Sequence, residues 1–385
     1  MKRTLRIAVA GAGLIGRQHA RRVLAHPRLE LRCVVDPYAD PTGVPRGPDT
    51  VLVADLAQAL GDVDGVVLAT PNAAHREGAL AAVAAGVPVL VEKPIADTLE
   101  AAEDIVAAAE ASGVPVLVGH HRRYSPLLTR AAEVIASGAI GDPVAVLGSA
   151  LFRKPDDYFA AAPWRTGPGG GPVLINLVHD VDALRALCGE IVQVQAVAGS
   201  AARGLAVEDT AALTLSFANG ALGTFIVSDA AASARSWEQT SGENPDYAAS
   251  PDEDCYHVAG TRGALSVPTL RLRTHPGVAS WSEPATVTTV AAPRQDPLEL
   301  QLEHFEQVLR GEAAPRVPAR EGLQSLRVVH AVAQSARTGL PVRVPTDPPA
   351  AVPAAARSET PSREPARPEK PPVPRRGVDD HVVDP

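Results

Sequence analysis

The sequence predicts an α/β protein: a doubly wound parallel sheet at the N-terminus, then an α+β domain on a mostly antiparallel sheet. Three observations predict it. Up to about residue 122, strand-like apolar runs alternate with helix-like runs, the rhythm of a parallel sheet with crossover helices. From about 123 to 345 the runs lengthen and alternate, and Asn219-Gly220 between two of them is a strong hairpin signal. The first apolar run also empties into Gly11-Ala12-Gly13-Leu14-Ile15-Gly16, and the next ends on Asp36, twenty residues beyond Gly16.

In chain order, strands are expected at 5–10, 31–35, 51–53, 65–69, 88–91 and 115–118. Helices are expected between them at 14–26, 55–60, 73–85 and 98–112. A helix over 125–137 leads into the second part, with strands at 143–152, 191–199, 208–217, 221–229, 255–259 and 263–272. A helix-like run at 175–187 lies between the first two of these. Helices at 296–310 and 319–338, parted by Gly311 and Pro315, close the domain. From Thr346 to Pro385 ten of forty residues are proline and apolar residues are too sparse to repay ordering, so a disordered tail is expected. The expected organisation is therefore 1–122, 123–345 and a tail at 346–385.

Composition narrows the function classes. Net charge is −8 and no basic stripe stands out, which argues against a nucleic-acid partner. Lys2 and Arg3 precede an apolar run, but Arg6 and three glycines interrupt it, so it reads as a first strand and not a signal peptide. No stretch of about eighteen uncharged apolar residues occurs, and no membrane span is expected. Cys33, Cys188 and Cys255 lack metal-ligand spacing and read as reduced thiols in the cytoplasm. No metal site is implied: His120 and His121 are adjacent, and neighbours on an extended segment face opposite ways.

The glycine segment has a mechanical reading. Gly11 allows a tight turn out of the strand, Gly13 lets backbone approach a pyrophosphate, and Gly16 lets the helix pack close to the sheet. The N–H groups of Leu14 and Ile15 then open the helix toward the phosphates. Asp36 is placed to accept hydrogen bonds from a ribose hydroxyl and would repel a 2′-phosphate, so NAD is expected over NADP. Arg46, in a Pro/Gly-rich loop, is the nearby cation that would reverse this preference.

In a doubly wound sheet, ligands sit outside the carboxyl ends of the strands. Thr70-Pro71-Asn72, Glu92-Lys93-Pro94 and His120-His121 all follow strands and bring polar groups to that rim. With the glycine segment, the Thr70-Pro71-Asn72 turn with His75 and Val91-Glu92-Lys93-Pro94, the chain resembles the glucose–fructose oxidoreductase / inositol dehydrogenase (Gfo/Idh/MocA) family. Arg122-Arg123-Tyr124-Ser125-Pro126, Trp164-Arg165, and Gly169-Gly170-Gly171 leading to His179-Asp180-Val181-Asp182 complete the likeness, which spans about residues 5 to 345. It implies a Rossmann domain followed by a domain on an open, largely antiparallel sheet, and oxidation of a sugar or polyol hydroxyl or the reverse. It also implies a homo-oligomer paired through that open sheet.

The resemblance makes Lys93 and His179 catalytic. Proton work by a lysine requires burial or a cationic neighbour to lower its pKa from roughly 10.4, or else a charged lysine that polarises the oxygen. Gly11, Gly13, Leu14, Ile15, Gly16, Asp36, Thr70, Asn72, His75, Glu92 and Lys93 are the expected cofactor residues. Asn176, Trp164, Arg165 and His121 are the expected substrate residues. Many family members carry an aspartate four residues before the histidine. Here Ile175 holds that position, and Asn176, on the same helix face, is an amide that cannot serve as a base. Asp180 would point about 100° away from His179, and Asp182 and Arg123 read as structural. Trp164 and Arg165 belong near the nicotinamide end, or else Arg165 braces the region through a carboxylate.

The reading is an NAD-dependent oxidoreductase of a sugar, inositol-like polyol or related hydroxy-acid. Dihydrodiol oxidation, a hydrolase or epimerase using transient redox chemistry, and a non-catalytic NAD-binding sensor are the alternatives.

Overall fold

The computed structural model describes residues 3–40 and 42–346; the tail reading lies almost wholly outside them. The first sheet is formed by β1 (Leu5–Ala10), β2 (Leu29–Val35), β3 (Val51–Val53), β4 (Gly65–Leu68), β5 (Val89–Val91) and β6 (Val116–Val118). All pairings are parallel and the order is β3-β2-β1-β4-β5-β6. The chain reverses its winding between β1 and β4, the switch point at which such sheets take ligands. Helices α1 (Leu14–Ala25), α2 (His75–Ala84) and α3 (Leu99–Ser112) cover its faces. Thr98 caps α3 with its side chain, and Gly113 ends it in the left-handed conformation, φ +71°. The helix expected at 55–60 is instead two short 3₁₀ turns, Leu56–Gln58 and Leu60–Asp62, held at the start by the Asp55 side chain.

The second part contains α4 (Pro126–Ala136), β7 (Pro143–Leu151), α5 (Asp156–Ala160), α6 (Pro172–Ile175), α7 (Leu177–Cys188), β8 (Ile191–Gly199), β9 (Thr210–Phe217) and β10 (Leu222–Ser228). It continues through α8 (Trp237–Ser241), β11 (Tyr256–Gly260), β12 (Gly263–Val267), β13 (Arg271–Thr274), β14 (Thr286–Thr289), α9 (Pro297–Leu309), α10 (Ala319–Thr338) and β15 (Val342–Arg343). Nine strands form one open sheet in the order β14-β13-β12-β11-β7-β10-β9-β8-β15. All its pairings are antiparallel except β10 against β7. Because β7 lies between β10 and β11, the 228–256 connection is a crossover, which accounts for its length. Gly220, φ +89°, closes the expected hairpin between β9 and β10.

Three boundaries differ from the sequence reading. The strand expected at 263–272 is split at Pro268, which has no N–H to continue the ladder. The helix expected at 175–187 begins earlier, at Pro172, and is interrupted at Asn176. The last long helices do not simply close the second sheet. Leu302, Phe305 and Val308 of α9 pack with Ile7, Val9 and Val23 on one face of the first sheet. In α10, Leu323 and Leu326 join the other face of that sheet, while Val328, Val329 and Val332 join the core of the second. One helix thus fastens both sheets. Phe305, fully buried, contributes about 1.5–3 kcal/mol to this packing.

Candidate active site

The glycine segment folds as its residue types require. Gly11 has φ +95°, and a Cβ there would lie 2.4 Å from the Ala69 carbonyl oxygen. A Cβ on Gly16 would collide with the Gly11 carbonyl. Gly13 is different: a Cβ there would meet nothing within 4 Å, and α1 starts at this residue with no side-chain cap. The first amides of α1 are therefore left without a side-chain cap, with the positive end of the helix dipole behind them. Asp36, at the end of β2, accepts from Ala12 N at 2.7 Å and Tyr38 N at 2.8 Å, which fixes its carboxylate over the glycine turn. Thr70 Oγ1 is buried without a partner. An open amide cradle, an adjacent fixed carboxylate and an orphaned hydroxyl fit a dinucleotide.

His75 is fully buried. Its Nδ1 contacts Pro94 O and its Nε2 contacts Thr70 O, each at 3.0 Å, so it ties the turn after β4 to the turn after β5. Asn72 begins the 3₁₀ turn between them. Glu92 is turned inward: His19 Nε2, from α1, meets its Oε1 at 2.7 Å, and Lys93 N donates to its Oε2 at 3.2 Å. Burial pushes the Glu92 carboxyl up, but the His19 hydrogen bond and the charges of His19, Lys93 and His121 outweigh it and hold it at about 2. Glu92 thus fixes the backbone of Lys93. Sequence reasoning missed His19, although position 19 shares a helix face with Gly16, the face that packs on the sheet.

Lys93 leaves β5 half-buried, its Nζ 3.5 Å from Ile175 O. Burial lowers its pKa, with Arg122 assisting and Glu92 and Glu238 opposing. His179 is buried on α7 with no partner at Nδ1. Burial and the charges of Lys93 and Arg122 push its pKa well below the ordinary value, so it stays neutral. His121 packs edge-on against it, ring centroids 5.0 Å apart, and burial lowers His121 to about 4. The expectation that His120 and His121 face opposite ways is corrected. Both rings reach His179, His120 at 6.3 Å, because His121 begins a 3₁₀ turn rather than prolonging β6.

Two buried ion pairs hold α7 against that turn. Asp180, fully buried, accepts from Arg122 at 2.8 Å and from Tyr256 OH at 2.5 Å, away from Lys93. Arg122 also reaches Glu238 at 3.1 Å, which brings the 228–256 connection to the site. Asp182 accepts from Arg123 at 3.3 Å and from Ser325 of α10. Arg165 has no carboxylate partner among the described residues. Its guanidinium lies 3.8 Å over the Tyr158 ring and donates to Tyr158 O, so the alternative of a carboxylate brace is overturned. Trp164 beside it is 57% exposed.

Asn176 lies at the break between α6 and α7. Its Oδ1 accepts from Lys154 Nζ at 2.8 Å, and Lys154 pairs with Asp229 at 3.2 Å. Lys154, two residues beyond the strand expected at 143–152, went unnoticed in the sequence. A surface hollow of about 570 Å³ near Leu187, Asn219 and Arg262 lies apart from all these groups. Among the described residues no group of three or more His, Cys, Asp or Glu could hold a metal, and the three cysteines are free and buried. No described helix is long and apolar enough to cross a membrane.

A nucleotide cradle at the switch point, with a lysine and a neutral histidine beside it, defines a dinucleotide-dependent oxidoreductase. Residues 5–120 match the profile of the oxidoreductase family with NAD-binding Rossmann fold, and residues 128–266 that of the GFO/IDH/MocA C-terminal domain. The chain belongs to the Gfo/Idh/MocA family of NAD-binding oxidoreductases. It is 29% identical over 313 residues to 1,5-anhydro-D-fructose reductase of Ensifer adhaerens, covering 80% of this chain and 87% of that one. It is 38% identical over 204 residues to inositol 2-dehydrogenase of Acidothermus cellulolyticus, covering 51% and 58%. The WlbA dehydrogenase of Bordetella pertussis, solved with NADH and UDP-GlcNAcA, is similar with a TM-score of 0.71 at 26% identity, over 90% of this chain and 100% of that one.

Proposed function

We propose that the protein oxidises a hydroxyl carbon of a sugar, inositol-like polyol or related hydroxy-acid, or reduces the corresponding carbonyl, with Lys93 and His179 handling the proton. Bound NAD supplies the hydride acceptor. The amides of Gly13, Leu14 and Ile15 would hold the pyrophosphate and Asp36 a ribose hydroxyl. Thr70 and Asn72 would line the path to the rim, and Glu92 would hold Lys93 in place.

The observation that carries the reading is the pairing of two buried ionisable groups whose charges oppose each other. Lys93 is the foremost charge pressing on His179, and both pKa values are lowered. A lysine so lowered takes a proton from a hydroxyl at Nζ more readily than a free one. Passing that proton on to His179 discharges Lys93 and so removes the foremost charge that keeps the histidine neutral. The position of the family aspartate is held by Ile175, which leaves these two as the proton carriers.

Self-association belongs to the same reading. Leu147, Val197, Leu222 and Ile226 stand exposed on the outer side of the second sheet, an apolar face that a second copy would cover. Sedimentation velocity checks it; a monomer at all concentrations overturns it.

The test of the activity is a panel of aldoses, polyols and hydroxy-acids with NAD, following absorbance of the reduced cofactor. Turnover that falls about 10²–10⁴-fold in Lys93→Ala and in His179→Ala supports the roles. Near-full activity in both variants overturns them, and no reduced cofactor from any compound favours the sensor.

A further inference from the structure

We propose that the substrate carries a carboxylate, received by Asn176 Nδ2 with Lys154 as the positioning residue behind it. This rests on the proposed oxidoreductase reading and names the substrate class for the same site.

The argument is an inventory of donors and acceptors. An ammonium donates and never accepts, so the atom of Asn176 that faces Lys154 at 2.8 Å is its oxygen. The amide nitrogen must then point the other way. Among the described residues nothing accepts from Asn176 Nδ2, and it is not walled off from solvent. Asn176 adjoins Ile175, whose carbonyl lies 3.5 Å from Lys93 Nζ, so this free donor stands beside the lysine that meets the substrate.

The nearby acceptors are already committed. Asp229 Oδ1 takes Arg203 Nε at 3.1 Å, and its Oδ2 takes Lys154 Nζ at 3.2 Å. Asp229 therefore serves two cations, both with side chains less than a tenth exposed, while the exposed Asp156 also reaches Arg203 at 3.5 Å. Arg165 adds a guanidinium that no described carboxylate meets. Glu238 is engaged by Arg122. Around Asn176 the site thus presents donors: the free Nδ2, the Lys154 ammonium behind it and the Arg165 guanidinium. A neutral hydroxyl both gives and accepts, and finds no uncommitted acceptor among them. A carboxylate brings only lone pairs and a negative charge. Arg203 stays on Asp229 whether or not Lys154 is present, so the charge of Lys154 can be removed without stranding a buried carboxylate.

The experiment compares D-gluconate and D-glucuronate with neutral sorbitol and glucose. Binding to the full chain loaded with NADH is measured by calorimetry, and oxidation with NAD is measured in parallel. The acids are expected to bind about 10–100-fold more tightly than their neutral counterparts, the worth of a charge-assisted hydrogen bond. Asn176→Asp, which replaces the free donor by a negative charge, and Lys154→Gln should each collapse that ratio toward one. Lys154→Arg should restore part of it. Should Lys154→Gln fail to fold, Asn176→Asp still decides. Equal or tighter binding of the neutral compounds, or an acid preference untouched in Asn176→Asp, overturns the proposal. Turnover of neutral polyols with no response to acids leaves the oxidoreductase reading standing without this one. Tight binding of acids with no reduced cofactor from any compound does the reverse.

Discussion

His19 Nε2 and Glu92 Oε1 meet at 2.7 Å, and this contact joins α1, the helix that follows the glycine turn, to the turn that carries Lys93. Both side chains are almost fully buried. A buried pair contributes little net stability, but removing one partner leaves the other as an uncompensated charge. His19→Ala should therefore destabilise the protein by about 3–5 kcal/mol, read from chemical denaturation, and Glu92→Gln by much less. Equal costs for the two would mean that the pair is ordinary packing.

The same contact sets an acid limit. The Glu92 carboxyl is held at about 2 in the folded chain, against an ordinary value of 4.5. A depressed carboxylate stabilises the fold above its ordinary value, and that contribution is lost as pH falls from about 4.5 toward 2. Acid unfolding followed by far-UV circular dichroism should show a loss of stability in this window. In Glu92→Gln the loss there should be smaller.

Asp36 should govern cofactor choice. Asp36→Ala is expected to weaken NAD binding by roughly 10–100-fold, the worth of about 1.5–3 kcal/mol for a charge-assisted hydrogen bond. Fluorescence titration measures it. Equal or tighter binding of NADP by the unaltered protein would contradict the assignment.

Gly11 and Gly13, two glycines of one turn, should respond differently to the same substitution. Gly13→Val has open space for its side chain, so the melting temperature should hold while NAD binding falls by roughly tenfold or more, as the side chain occupies the pyrophosphate approach. Gly11→Val must overcome both φ +95° and the Ala69 carbonyl, and should lower the melting temperature outright. A Gly13 variant with full NAD affinity would place the pyrophosphate elsewhere.

Lys93 should shape the pH profile. Its lowered pKa populates the neutral amine at a lower pH than a free lysine does. The kcat/KM for oxidation should rise with pH and level off below roughly 10.4, the ordinary lysine value. The rise should vanish in Lys93→Ala. An unchanged limb in that variant would assign it to another group.

What could be read in the sequence followed range. The strands of the first sheet and their polar ends were legible because each is a short local pattern: an apolar run, a turn residue, a carboxylate or lysine at the rim. His179 was named only through the family resemblance, and it lies buried on α7 beside His121. Lys154 was not, because its meaning comes from Asn176 and Asp229, 22 and 75 residues away. Nor was the division of α10 between two cores, since an amphipathic period reports that a helix is covered but not by what. His120 was misjudged for a local reason: an extended neighbour was assumed where the backbone turns.

The parallel pairing of β7 with β10 places Leu151 opposite Ser228 at the end of the register. Lys154 follows one strand by three residues and Asp229 follows the other by one, so their meeting depends on two segments keeping step. A single inserted or deleted residue in either strand would carry one member of the pair past the other. For a lineage exploring new compounds, length changes in these two strands are closed, and preference must drift by exchange of side chains. The largely exposed connection at 275–285, between β13 and β14, carries no such constraint, and gene comparisons should find the insertions there.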